Sequence, residues 1–282
     1  MTFTRRNFLK ASAAGFGVAV LSLGLTACRF DDEDDDILDV SFAHGVASGD
    51  PLADSLILWT RVTPLDPTTT SIKVQWQAAT DPNFANISHN GETHISAATD
   101  FTLKVDLQGL NANTTYYYRF KSNGKTSPIG AGKTLPTGSI DKVKFAVISC
   151  ANYPAGFFHV YGEIAKQTDI DAVLHLGDYI YEYGNDGYAT EDAGILGRLL
   201  PEDNSDEIIS LADYRNRYAH YRTDSNLQAA HSNCAFITVW DDHEITNDTW
   251  RNGAENHNEG EGEFSERKLH ALQAYFEWMP IR

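Results

Sequence analysis

The sequence predicts a small all-β sandwich followed by an α/β domain built from βαβ units, and three observations carry that prediction. Between residues 40 and 136, short segments of period-two alternation recur between clusters of turn residues, the pattern of packed antiparallel strands. From residue 143 onward, apolar runs of strand length flank a helical stripe, the pattern of parallel strands joined by a helix. Three of those later runs end in side chains that bind metals: Cys150, Gly177-Asp178, and Asp241-Asp242-His243.

In chain order, Thr4-Arg5-Arg6-Asn7-Phe8-Leu9-Lys10 precedes an apolar run over residues 11–27 and resembles a twin-arginine export signal. The run is short, holds Gly15, Gly17 and Gly24, and is followed by acid, which disfavours a permanent transmembrane helix. Leu25-Thr26-Ala27-Cys28 resembles a bacterial lipobox and makes Cys28 the lipidation residue; cleavage after a small residue, with Cys28 incidental, is the alternative. Residues 31–36, acidic at every position, read as a solvated spacer. The expected organisation is a signal with lipobox over 1–28, an acidic spacer over 29–39, a β-sandwich over 40–136 and an α/β domain over 140–282. The expected location is exported, periplasmic or at the cell surface, lipid-anchored to a bacterial membrane, with the twin-arginine export machinery as a partner.

The formal charge of the 282 residues is −17; residues 1–39 hold four basic and seven acidic residues, so the body alone carries −14. No stripe of Lys and Arg interrupts that excess, which argues against nucleic-acid binding as the main role. An acidic protein that acts on anions needs local positive charge, and bound metal ions supply it.

In the first domain, strands are expected over 55–62, 72–78, 101–107 and 113–120, separated by turn clusters such as 64–70, Asn90-Gly91 and Asn123-Gly124. His89 and His94 fall in an expected hairpin without partner spacing. His44 lies in a turn-rich stretch, 44–51, where it is expected to satisfy backbone groups. This domain reads as a support.

In the second, residues 143–150 read as a buried strand, and Phe157, Val160, Tyr161, Ile164 and Ala165 form the stripe of an amphipathic helix. A strand over 172–176 completes a βαβ unit, so the two strands run parallel with a right-handed crossover. A Gly-, Asp- and Asn-rich loop follows, then a helix led by Ser210 with Leu211, Tyr214 and Tyr218 on one face and a Ser210/Asp213 capping box. A third strand runs from 234 to 240. Parallel strands bring all three strand ends to one edge, where open α/β sheets bind ligands. At the Gly177-Asp178 turn, the Asp178 carboxylate and Tyr181 phenol converge, and oxygen ligands suit a hard cation. A plain turn with packed tyrosines is the alternative for that motif taken alone. Cys150 ends one strand and Cys234 begins another, about 20 Å apart at ~3.3 Å per residue, too far for a disulfide. Cys234 then reads as a buried thiol.

Ser149-Cys150, residues 175–182 (His-Leu-Gly-Asp-Tyr-Ile-Tyr-Glu) and Trp240-Asp241-Asp242-His243-Glu244 resemble the PhoD family of alkaline phosphatases and phosphodiesterases, as do residues 42–51, 58–62 and 274–280. Gly109-Leu110-Asn111 with Tyr116 and Tyr118 is similar to a fibronectin III pattern in which a tyrosine hydroxyl pins a loop. The resemblance implies a fibronectin III/Ig-like sandwich before an α/β metallophosphatase-type domain, and a site holding iron (Fe3+) and calcium. It implies that Cys150 and Tyr181 hold the iron, Asp178 bridges to calcium, Asp242 binds calcium, and His243 is catalytic, touching the phosphate and protonating the leaving group. The implied reaction is hydrolysis of a phosphomonoester or phosphodiester by metal-activated hydroxide. Roles for Asp241 and Glu244 stay open. The superfamily takes further ligands, histidines among them, from later strands; no His-x-His motif occurs, and His257 and His270 read as solvated. The chain thus reads as the amino-terminal portion of an incomplete metallophosphatase domain. A non-catalytic, lipid-anchored binding protein on a phosphatase-like fold is the rival class.

Overall fold

Short strands dominate residues 39–282, the part that the computed structural model describes. The twin-arginine segment, Cys28 and the acidic run lie outside the described residues. The strands are β1 (Val40–Ser41), β2 (Val46–Gly49), β3 (Ser55–Arg61), β4 (Thr63–Pro64), β5 (Ser71–Ala79), β6 (Ile87–Ser96), β7 (Thr102–Gln108), β8 (Thr115–Ser122), β9 (Lys125–Thr126), β10 (Gly130–Lys133), β11 (Phe145–Ile148), β12 (Ala172–His175) and β13 (Ala235–Thr238). The α-helices are α1 (His159–Ala165), α2 (Ala193–Leu196), α3 (Leu211–Tyr221), α4 (Ser225–Asn233) and α5 (Phe264–Trp278).

Two sheets enclose the first core. One runs β10-β8-β5-β6 with β9 on β8; the other contains β2 and β7, each antiparallel to the β3 strand between them. Between them pack Leu56, Leu58, Ile72, Val74, Leu103, Leu107, Tyr116, Tyr118 and Phe120. The Tyr116 hydroxyl accepts the Asn111 N–H at 2.9 Å, so a tyrosine does pin the loop after Gly109. The second sheet does not stop at β2. Its order is β11-β12-β13-β2-β3-β7, and β13 pairs with β2 in parallel through Ala235–Ser48 and Phe236–Gly49. The turn-rich stretch 44–51 therefore holds a buried central strand. Gly49 permits this: a Cβ there would sit 2.2 Å from the Pro280 carbonyl oxygen.

Burial on both faces follows for β3. Leu56 and Leu58 face the sandwich core, while Trp59 belongs to the second core and donates from Nε1 to the Glu277 carbonyl at 2.8 Å. The expected half-buried alternation gives way there to a continuous apolar run, the signature of a strand covered on both sides. His44 packs edge-on against Trp278, with ring centroids 5.2 Å apart, and faces the Thr63 hydroxyl instead of backbone groups.

The second core gathers Val173, Phe236, Tyr161, Ile164, Leu227, Ala230, Tyr214, Tyr218 and Trp278 around one face of β11–β12–β13. Those three strands run parallel, as their spacing predicts. The Ser210/Asp213 capping box forms in full at the start of α3. The opposite face of the parallel strands is open: Phe145, Val147 and Leu176 are 46%, 58% and 51% exposed. Among the described residues, no helix is long and apolar enough to cross a membrane.

Candidate metal centre

The hydrogen-bond ladder between β11 and β12 continues past the strand ends. Cys150 N–H donates to Gly177 O at 3.2 Å and Ala151 N–H to Asp178 O at 2.8 Å. This pairing sets Cys150 beside Asp178, and both adopt left-handed backbone conformations, with φ of 62° and 55°. Non-glycine residues hold such angles at a cost of roughly 1–3 kcal/mol, a cost that clusters at functional sites. The Cys150 thiol lies 3.4 Å from Asp178 Oδ2, and the Tyr181 hydroxyl donates to the same oxygen at 3.2 Å. An open cleft lined by Ile148, Asn152, Phe157 and Val160 flanks the thiol. Among the described residues, Cys150 and Cys234 form no disulfide.

The third strand end crosses close by. Gly177 has φ +104°, and a Cβ there would stand 2.4 Å from Asp241 N, so only glycine lets the two turns touch. Asp178, Asp242 and His243 each offer a ligand atom within 4.8 Å of the others. The Tyr181 ring stacks on His243 with centroids 4.0 Å apart. Asp241 is exposed and contributes its backbone N–H to Glu244.

A family model described as PhoD-like phosphatase matches residues 145–282, and one described as PhoD-like phosphatase, N-terminal domain, matches residues 28–136. The chain is 39% identical to Alkaline phosphatase D of Bacillus subtilis (strain 168), over all of this chain and 48% of that protein. It matches a solved structure of PhoD at TM-score 0.78 and 40% identity, over 86% of this chain and 46% of that one. The chain belongs to the PhoD-like phosphatase family. It spans about half the length of the relatives it matches.

In this PhoD-like chain the donor set fits a cation. Asp178 Oδ1 is buried with no hydrogen-bond partner among the described residues, a state that costs about 1–3 kcal/mol or more unless a cation faces it. Burial raises the Asp178 carboxyl, with the charges of Asp242 and Asp241 adding to the rise and His243 opposing it. Burial raises the Tyr181 phenol far above its usual range, and the charges of Asp178 and Cys150 add to it. A phenol so placed ionises only against a strong positive charge.

Two carboxylates that the sequence left without a role organise the centre. Glu244, 1% exposed, accepts N–H groups from Asp178 (3.1 Å), Tyr179 (2.6 Å) and Asp241 (2.8 Å), tying the two ligand-bearing turns together. Its burial outweighs those bonds and lifts the carboxyl to about 7. Glu182, fully buried, lies 2.7 Å from His243 Nδ1 and accepts from Asn247 N and Asn256 Nδ2. Burial alone would lower the His243 pKa; the Glu182 hydrogen bond and charge, with Asp178 and Asp242, raise it overall. Arg217, also fully buried, donates to the carbonyls of Tyr181, Tyr183, Asn204 and Asp206 and so holds the segment that carries Tyr181. None of these three has a periodic signature, because each acts on loop backbone. His257 is not solvated but packed beside Glu261 and Arg267, and it is not part of the candidate ligand group Asp178, Asp242 and His243.

Proposed function

We propose that this chain carries the metal-binding strand ends of a secreted, metal-dependent phosphoester hydrolase. The observation that carries the reading is the meeting of Cys150, Tyr181, Asp242 and His243 around Asp178, one of whose buried oxygens has no partner among the described residues. Cys150 and Tyr181 would hold iron(III), Asp178 would bridge, and Asp242 would take calcium, since thiolate suits iron and carboxylate oxygen suits calcium. Bound metals would supply Lewis-acid neutralisation of phosphoryl charge and lower the pKa of a water molecule.

The chain's own side chains do the rest. His243 is the proton carrier: with Nδ1–H held by Glu182, the imidazolium gives its Nε2 proton to the departing alkoxide and is left as the neutral Nδ1–H ring. The stacked Tyr181 ring restrains the imidazole plane. The pinned loop at Tyr116 and the two packed sheets support a fibronectin III/Ig-like sandwich over 40–136 as scaffold. The parallel strand ends support a metallophosphatase-type domain over 140–282. Export by the twin-arginine route and a lipid on Cys28 complete the reading.

The test uses the exported protein isolated with its native metals and assayed on matched phosphomonoester and phosphodiester substrates. Asp178→Asn is expected to lose both metal and turnover, whereas His243→Ala keeps the metal and loses about 10²–10⁴-fold in rate. Parent-like turnover by His243→Ala would rule out its assigned role. An iron–tyrosinate site absorbs visible light, and Tyr181→Phe bleaches it. A colourless, iron-free parent would remove Tyr181 from the ligand set.

A further inference from the structure

We propose that Glu182 is the positioning residue for His243, keeping Nδ1 as the hydrogen-bond donor so that Nε2 faces the metal and phosphoryl site and is the nitrogen that gains and gives the proton, the neutral ring being the Nδ1–H tautomer. The inference rests on the reading of that site given above. The two oxygens of Glu182 have separate tasks. Oε2 lies 2.7 Å from His243 Nδ1. Oε1 accepts from Asn247 N at 2.8 Å and Asn256 Nδ2 at 2.9 Å. Thr246 Oγ1 lies 3.2 Å from Oε1 and donates to Asn256 O at 2.6 Å. Oε1 therefore holds the loop after His243, and Oε2 holds the ring.

Both partners are enclosed, Glu182 at 0% and His243 at 9% exposure, so water competes little for either atom. An ionised carboxylate only accepts hydrogen bonds, which makes Nδ1 the donor and leaves Nε2 without a hydrogen in the neutral ring. Tyr181 stacked at 4.0 Å and Tyr183 at 5.6 Å restrict the ring's orientation from other sides.

Glu182→Gln tests this with a defined outcome. Asn247 N–H and the Asn256 amide both point at Oε1, so the glutamine must keep its oxygen there. Its NH2 then faces His243 and donates to Nδ1, which forces the opposite tautomer, with hydrogen on Nε2. The readout is the pair of imidazole 15N shifts of His243 in 15N-histidine-labelled, metal-free protein at alkaline pH. The parent is expected to show a protonated Nδ1 and a bare Nε2, and Glu182→Gln the reverse. Asn256→Ala, which removes one Oε1 contact and a 3.5 Å bond from Asn258 but leaves Oε2 on His243, is expected to keep the parent pattern.

In the metal-loaded protein, Glu182→Gln is expected to lose about 10²–10⁴-fold in kcat with KM changed less than about threefold and metal content retained. A parent His243 with hydrogen on Nε2 would overturn the proposal, and that measurement stands even if the glutamine variant does not fold. So would a Glu182→Gln spectrum identical to the parent's. A tautomer switch in protein that never hydrolyses phosphoesters would leave the proposal standing and remove the hydrolase reading.

Discussion

Gly177→Ala is the smallest change that separates the two turns of the site. The added Cβ would lie 2.4 Å from Asp241 N, 2.6 Å from Asp241 Cβ and 3.0 Å from its Cα, so it meets backbone and not a flexible side-chain tip. Carbon contacts relax near 3.5 Å, so the 241 segment must retreat by about 1 Å. That shift lengthens the Glu244 bonds to Asp178 N and Tyr179 N, now 3.1 and 2.6 Å, toward breaking. The φ of +104° adds a backbone penalty of roughly 1–2 kcal/mol, and the overpacking a further 1–3. The total, about 2–5 kcal/mol, corresponds to a Tm lowered by about 5–15 °C for a unit of this size.

Gly109→Ala is the internal control. Gly109 has φ +76°, but nothing among the described residues lies within 4 Å of its Cβ position, so it carries the backbone penalty alone. Urea titrations of parent and both variants give the two contributions, and calorimetric titration with iron or calcium gives metal affinity. Gly177→Ala should lose more stability than Gly109→Ala and should alone lose metal affinity. Equal losses, with metal binding intact in both, would refute the close crossing of the turns as the organiser of the site.

Arg217→Met strips the buried donors from four backbone carbonyls and is expected to cost about 3–5 kcal/mol in urea titration; a loss under about 1 kcal/mol would contradict its structural role. Tyr116→Phe removes one hydrogen bond to Asn111 N and should cost about 1 kcal/mol with metal binding unchanged. Stability should fall as pH drops from 7 to 5. Burial holds His44 near 3 and His175 near 4, and burial with the Arg222 charge keeps His231 low as well, so the unfolded chain takes up protons below 6.5 that the folded chain refuses. At pH 5 this costs about 2 kcal/mol each for His44 and His175. Glu244, raised to about 7, regains its proton in the folded state over the same window and offsets about 2 kcal/mol. Raised values for Asp178 and His243 act in the same direction as Glu244. His44, His175 and Glu244 together leave a fall of about 2 kcal/mol, to which His231 and His220, also held low by burial, add; it is read as Tm against pH, and a rise would contradict the count of buried neutral histidines.

The parallel order β11–β12–β13 was legible because each strand is a compact apolar run and a helical stripe lies between the first two. The meeting of Cys150, Asp178 and Asp242 at one sheet edge followed from that direction alone. The capping box at Ser210 was legible because caps are local chemistry. β2 was not: four residues between turn signals show no periodicity, and their partner β13 lies almost 190 residues away in sequence. Helix α4 escaped because Ser-Asn-Leu-Gln-Ala-Ala-His-Ser-Asn has few apolar positions; its start is fixed by the Asp224 cap, which accepts from Asn226 and Leu227 N–H. Glu182 and Glu244 stood in view inside the quoted motifs. Their roles depend on loop backbone folded around them, and no spacing rule encodes that.

Anomalous diffraction from crystals of the protein isolated with its native metals shows where those ions sit relative to the three strand ends. Metal peaks are expected within about 2.0–2.6 Å of Asp178 and Asp242 oxygens, at the shared ends of β11, β12 and β13. Metal bound elsewhere, with Asp178 Oδ1 still without a partner, would contradict the ligand assignment.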